Sequence, residues 1–173
     1  MKNFLLIVLA LGMCHTGFAQ RMVFIRPDAT NEIKLNLATT LFALPEISYE
    51  RVWRNNFGLG IAGRVTLSGD YDTRYLFMPY CRFYFGESPI KSFFVEANLG
   101  IMGYKKVEYY STPDYDVFNK INSKIVGDFG VGLALGYKYI NRRGLIGEVF
   151  VGIGRTTNDR VYSRCGISMG KVF

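Results

Sequence analysis

The sequence is short of the residues on which most enzyme and metal chemistry rests. Its 173 residues include one His, three Cys and one Trp. The His is His15, inside an N-terminal stretch with the layout of a signal peptide. The expected mature chain thus has no imidazole to act as general base, complete a triad or ligate a metal. Of Cys14, Cys81 and Cys165, the first lies in the same stretch. The other two fall on segments four strands apart in the barrel described below, so no disulfide is expected. No Cys/His spacing suggests a metal site and no glycine-containing segment reads as a phosphate loop, so neither metal nor cofactor is expected. Lys and Arg exceed Asp and Glu by 21 to 14, a net charge of +7, without a clustered basic run. That pattern gives no reason to expect nucleic-acid binding. Beyond the N-terminal stretch, no apolar run approaches the roughly 20 residues of a membrane-spanning helix.

What is present begins with Lys2, an apolar run from Phe4 to Met13, and Gly17-Phe18-Ala19 before Gln20. This is the three-part layout of a secretory signal, with cleavage expected after Ala19. A lipoprotein reading would use Cys14, but Met13 stands where a small residue is expected. Cleavage leaves 154 of the 173 residues, enough for one domain. Residues 20–30, with Pro27-Asp28, read as a short periplasmic lead-in.

From Asn31 to Phe173 the chain divides into eight segments with apolar or aromatic residues at every second position, the period of a β-strand. Strand one is expected over Asn31–Leu41, with Ile33, Leu35, Leu37 and Leu41 opposite Glu32, Lys34 and Asn36. Strand two, Glu46–Trp53, sets Ile47, Tyr49 and Trp53 against Glu46, Ser48 and Glu50. Strands three to five follow the same rule, with Pro79 in the fourth expected to cause a bulge or local irregularity because it lacks a ladder donor. The longest break runs from Lys105 to Ser123, and Asn141-Arg142-Arg143-Gly144 reads as a tight hairpin between strands six and seven. Strand eight ends the chain, with Val161, Cys165, Ile167, Met169 and Phe173 on its apolar face.

The fold expected is an all-β, eight-stranded antiparallel transmembrane barrel. An even strand count, short turns on one side and the longest break on the other fit the rules of bacterial outer-membrane barrels. Trp53, Phe57, Phe85, Phe93, Tyr139 and Phe173 share the outward parity and flank one end, as a periplasmic aromatic girdle would. The inward parity carries Glu50, Glu96, Asp128 and Glu148 with Arg64, Arg82, Lys138 and Arg164. In so narrow a lumen unpaired charges are costly, so these eight are expected to pair as a plug. Inward Gly58, Gly132 and Gly166 are expected to make room for the long Arg side chains. The soluble rival, a secreted lipocalin-like barrel, would turn its apolar face inward and its charged face to water.

The stretches Asn31-Glu32-Ile33-Lys34-Leu35-Asn36, Pro45-Glu46-Ile47-Ser48-Tyr49-Glu50-Arg51, Pro79-Tyr80-Cys81-Arg82-Phe83-Tyr84-Phe85 and Gly166-Ile167-Ser168-Met169-Gly170 resemble an uncharacterised family of small outer-membrane β-barrels from Bacteroidota, a domain of unknown function. The resemblance implies a barrel similar in architecture to OmpA and OmpX and supplies no catalytic residues. The last strand looks like the signal read by the barrel-assembly machinery, through Cys165, Ile167, Met169 and terminal Phe173, with Lys171 a departure from the usual apolar choice.

These residues bear on three kinds of function. The leading expectation is a non-enzymatic outer-membrane barrel in contact with lipid and lipopolysaccharide, meeting extracellular partners through residues 105–123 and Gly154–Arg160. Tyr109, Tyr110, Tyr115 and Phe118 offer contact surface in the longer loop. An outer-membrane enzyme would have to work with carboxylates alone, Glu96 or Glu148. A pore is disfavoured because eight strands enclose little space and that space is charged.

Overall fold

Side chains that alternate between apolar and polar demand an extended backbone wherever the two faces meet different surroundings. The computed structural model describes residues 29–53, 56–69, 71–85, 91–110 and 119–173. Within them lie β1 (Ala29–Asn36), β2 (Glu46–Trp53), β3 (Phe57–Val65), β4 (Thr73–Phe85), β5 (Lys91–Tyr110), β6 (Asn119–Ile140), β7 (Leu145–Thr156), β8 (Val161–Ser163) and β9 (Gly166–Val172). Antiparallel pairing links β1 to β2 and so on in order to β7. Both β8 and β9 pair with β7 in a single register, so they are two halves of one interrupted strand, and β9 pairs with β1. The sheet closes on itself as an eight-stranded antiparallel barrel. The stretch read as a signal peptide, most of the lead-in, and residues 54–55, 70, 86–90 and 111–118, all within breaks expected from the sequence, lie outside the described residues.

Closure comes with stagger. Following paired neighbours from Glu32 through Glu50, Gly60, Tyr80, Asn98, Gly132 and Gly154 leads to Tyr162. Tyr162 falls six residues short of Ser168, whose partner Asn36 stands four residues beyond Glu32, so the stagger is ten residues. Such a shear tilts the strands. It also brings inward side chains that share no ladder row to one height.

The start of β1, the end of β9 and the β2–β3, β4–β5 and β6–β7 connections lie at one end, the terminal rim; the other connections form the loop rim. At the terminal rim Asn141 sets the β6–β7 turn, its Oδ1 accepting from the backbone N–H of Arg143 and of Leu145 at 2.9 Å each. Gly144 supplies the left-handed residue of that turn at φ 76°.

Four local expectations are corrected or narrowed. First, strand one does not run to Leu41: β1 starts at Ala29 and ends at Asn36, and Leu37–Leu41 is a short helix, α1. Asn36 caps it by accepting from Thr39 N–H at 3.3 Å, and its amide donates to the Cys165 carbonyl at 3.2 Å, bridging the break between β8 and β9. Second, the break expected at 105–123 is strand over 105–110 and 119–123. The β5–β6 register is continuous from Lys91 against Tyr139 to Glu108 against Asn122, and Tyr109 and Tyr110 are also strand residues. Tyr115 and Phe118 lie outside the described residues. Likewise β7 continues to Thr156, which shortens the loop expected at 154–160. Third, Pro79 brings the milder of the two outcomes expected there, a local irregularity without a bulge. It stands opposite Ile61, and the ladder to β5 lapses beside it but resumes in the same register, with Phe77 against Ile101 and Tyr80 against Asn98. The register shift of β4 falls between Thr73 and Tyr75.

The fourth concerns the glycines. A Cβ at Gly58 would meet Glu50 and Tyr84, one at Gly132 would meet Asn98 and Tyr162, and one at Gly166 would meet Asn36. These inward glycines clear space for carboxylate, amide and phenol groups rather than for Arg.

Candidate functional site: the charged barrel interior

A side chain pointing into a closed eight-stranded wall meets other side chains instead of bulk water. An ion placed there is stable only if a counter-ion replaces its hydration. Inward positions of β1 to β7 and the β8–β9 strand supply that exchange. The links run Lys138–Glu32 (2.9 Å), Glu32–Lys34 (3.5 Å), Lys34–Glu148 (2.9 Å) and Lys34–Glu50. They continue through Glu50–Arg82 (3.0 Å), Glu148–Arg82 (2.8 Å), Arg82–Glu96 (2.7 Å) and Glu96–Arg164 (2.8 Å). Arg164–Glu46 and Glu46–Arg64 (2.6 Å) complete the chain. Five acids and five bases alternate along the barrel, from Lys138 near the terminal rim to Arg64 near the loop rim. All but Arg64 are buried.

The aromatic rings of the interior brace the cations. The Arg82 guanidinium lies 4.1 Å from the Phe94 ring centroid and 4.7 Å from that of Tyr80. Lys138 Nζ lies 3.9 Å above Tyr84, and Arg164 lies 4.6 Å from Phe150. Attraction to the ring face adds to each ion pair in a desolvated site. The phenol groups serve the anions: Tyr84 donates to Glu50, and Tyr162 donates to Asn98 Oδ1 at 2.7 Å, while Asn98 donates in turn to Glu96 at 3.1 Å. Glu50 collects Lys34, Arg82 and Tyr84 on one carboxylate, which makes it the hub of the lower half.

Apolar side chains cover both ends of this chain. Buried Ile140, Ile146 and Val172 close the terminal rim. Toward the loop rim, Ala62, Leu76, Met78, Tyr80, Met102 and Tyr162 form a second cluster. Above it opens a cup of about 470 Å³ whose lining includes Arg64, Tyr71, Asp72, Tyr104 and Arg160. Arg160 stacks on Tyr104 at 3.7 Å.

Seven of the eight charged residues singled out from the sequence meet in this chain: Glu50, Arg64, Arg82, Glu96, Lys138, Glu148 and Arg164. The eighth does not. Asp128 stands at the loop rim, where its Oδ1 accepts from Phe129 N–H at 2.9 Å and from Thr157 Oγ1 at 2.8 Å. Glu32, Lys34 and Glu46 complete the chain; their inward parity was the available signal.

The outer surface is the reverse of the interior. Leu133, Leu135, Val131, Val151 and Ile153 each expose 60% or more of their surface. The six expected girdle aromatics are gathered at the terminal rim. Trp53 stacks with Phe57 at 6.3 Å between ring centroids, Phe85 meets Phe83 at 5.1 Å, Phe93 meets Tyr137 at 5.0 Å and Phe173 meets Tyr49 at 6.4 Å. Tyr139 lies opposite Lys91. In the last strand Cys165, Ile167, Met169 and Phe173 all face outward and are exposed. Toward the loop rim, Tyr75 and Phe129 are outward aromatics. Ten residues separate Tyr75 from Phe85 on β4 and Phe129 from Tyr139 on β6. At about 3.3 Å per residue and a tilt of about 40°, each separation spans about 25 Å.

No protein-family model matches the sequence, and no curated protein matches it. Among solved structures, the N-terminal β-barrel domain of Pseudomonas aeruginosa OprF is similar to this chain, with a TM-score of 0.61 at 14% identity, covering 83% of this chain and 97% of that one. At that identity the likeness establishes the fold alone.

Proposed function

We propose that the protein is an integral outer-membrane β-barrel with a closed lumen, a structural element of that membrane which offers its loop rim to extracellular partners or lipopolysaccharide. One observation carries the reading: burial is inverted relative to a water-soluble barrel. Charged Glu32, Glu50, Glu96 and Lys138 are fully buried, while Leu133, Val151 and Phe129 face out. Burying apolar surface is worth about 25 cal/mol per Å², so an outer wall of aliphatic side chains demands an apolar surrounding. The 25 Å between the two outward aromatic levels equals the height of the apolar band in outer-membrane barrels. The even strand count brings both ends of the barrel to one rim, which in outer-membrane barrels is the periplasmic one, and this supports a loop rim that faces outward with its cup and the long β5–β6 hairpin.

A non-enzymatic role is favoured by the state of the carboxylates. Glu96 and Glu148, the acids an enzyme would have to use, are each held by an Arg at 2.8 Å or less, and Glu148 is also held by Lys34. A general acid or base needs a proton it can exchange with substrate, and neither carboxylate faces open space.

The closed lumen is tested in planar bilayers. Purified barrel is expected to leave the membrane insulating, because Ile140, Ile146 and Val172 close one end and paired charges fill the middle. Steady open channels would contradict the closed lumen.

A further inference from the structure

The aromatic girdle at the terminal rim is interleaved with cations. Arg51, Lys91 and Lys171 have outward parity and are exposed, and Arg142 and Arg143 are exposed in the turn just beyond. The register puts them among the rings. Lys91 stands opposite Tyr139, with Nζ 5.2 Å from the ring centroid, and the Arg51 guanidinium is 5.6 Å from Trp53. Lys171 lies between Ile33 and Leu145, two residues before Phe173. Among the described residues no Asp or Glu side chain shares this outer band or pairs with any of the five bases. The loop rim differs: there outward Arg155 is matched by Asp159 at 2.9 Å.

We infer that this rim is a binding belt for the headgroups of anionic glycerophospholipids in the periplasmic leaflet. The inference rests on the membrane reading above and adds the lipid class. Aromatic rings fix the depth of the wall at the headgroup level. Long basic side chains at that depth lie along the apolar wall and extend their charged ends toward the headgroups. A phosphodiester with no compensating amine supplies a negative charge that no described residue of the rim's outer band provides, whereas a zwitterionic headgroup brings its own cation. Each base near an anionic surface favours it by about five-fold. Arg51, Lys91 and Lys171 lie on β2, β5 and β9, so the preference is distributed around the wall instead of held in one pocket.

Trp53 provides a reporter inside the belt, because it is the sole Trp of the chain. The mature barrel is refolded into neutral vesicles, and its Trp53 emission is titrated with brominated phosphatidylglycerol or brominated phosphatidylcholine. The anionic lipid is expected to quench at a mole fraction about five-fold lower. Raising the salt should shrink that difference. In the variant carrying Arg51→Gln and Lys171→Gln, which lacks two of the five bases, the difference between the two lipids should shrink. Equal quenching in the unmodified protein, a preference that survives high salt, or a preference undiminished in the variant would overturn the belt. Quenching by neither lipid would overturn the membrane reading, and the belt with it.

Discussion

Replacing Arg82 by Met is expected to destabilise the barrel by about 3–5 kcal/mol, the cost of removing one partner from a buried ion pair. Arg82 is the central link of the interior chain, within 3.0 Å of Glu50, Glu96 and Glu148. Those three carboxylates come from β2, β5 and β7, and without the guanidinium Glu50 and Glu148 are left to share Lys34, and Glu96 keeps Arg164, in a space water cannot easily enter. Equilibrium unfolding in urea from lipid vesicles, followed by the shift between folded and unfolded bands on unboiled gels, measures the loss. Adding Glu148→Gln to the variant should recover part of it, because one of the stranded charges is then gone. Replacing Arg155, whose pair with Asp159 is exposed, should change little. If the Arg82 and Arg155 substitutions proved equally mild, the interior chain would not be the stabilising core described here.

On the other side of the same wall, Leu133→Arg should cost about 2–4 kcal/mol in a bilayer, the penalty for a base at the midplane on the lipid face. Leu133 is 63% exposed, four residues from Phe129 and six from Tyr139, close to the middle of the apolar band. For a barrel bathed in water the same substitution at so exposed a site would fall within about 0.5 kcal/mol of neutral. The two environments thus predict different results for one variant, and urea titration of vesicle-inserted protein separates them. Lys171→Leu provides the contrasting case at the rim, where a base already sits at headgroup depth and its removal should hardly affect folding.

Much of this arrangement was legible because the strand period is two. Once Ile47, Tyr49 and Trp53 are placed outward, Glu46, Ser48 and Glu50 must face inward, and the whole of β2 follows with its observed bounds. Pairing between charges was less legible. Lys34 meets Glu148, and Arg164 meets Glu46, across more than a hundred residues of sequence, because the ten-residue stagger brings unlike ladder rows to one height. Parity puts a residue inside but does not fix its height, which is why Asp128 was grouped with charges that it does not touch.

The misplaced end of β1 has a different cause. Leu37 and Leu41, four apart, satisfy a strand alternation and a helical turn equally well, and the deciding signal was Asn36 with Thr39 three residues on, a cap. In the β5–β6 hairpin, polar and tyrosine-rich composition suggested a loop from Lys105, yet Lys105–Glu108 remain paired with residues 122–125. Composition reports what a surface is exposed to, whereas cross-strand hydrogen bonds decide where a hairpin ends.

Which medium the outer wall meets decides between a membrane barrel and a water-soluble one, and the two cysteines of that wall report it directly. Cys165 is exposed, and Cys81 faces outward between Leu59 and Ala97, four residues from Phe85. Both lie within the apolar band, clear of its aromatic ends. The measurement is the labelling of vesicle-inserted mature protein by a charged, membrane-impermeant maleimide, before and after denaturation. A wall in lipid predicts no labelling of either thiol in the folded barrel and labelling of both once it is unfolded. Rapid labelling of Cys165 in the folded protein would place that wall in water and contradict the account.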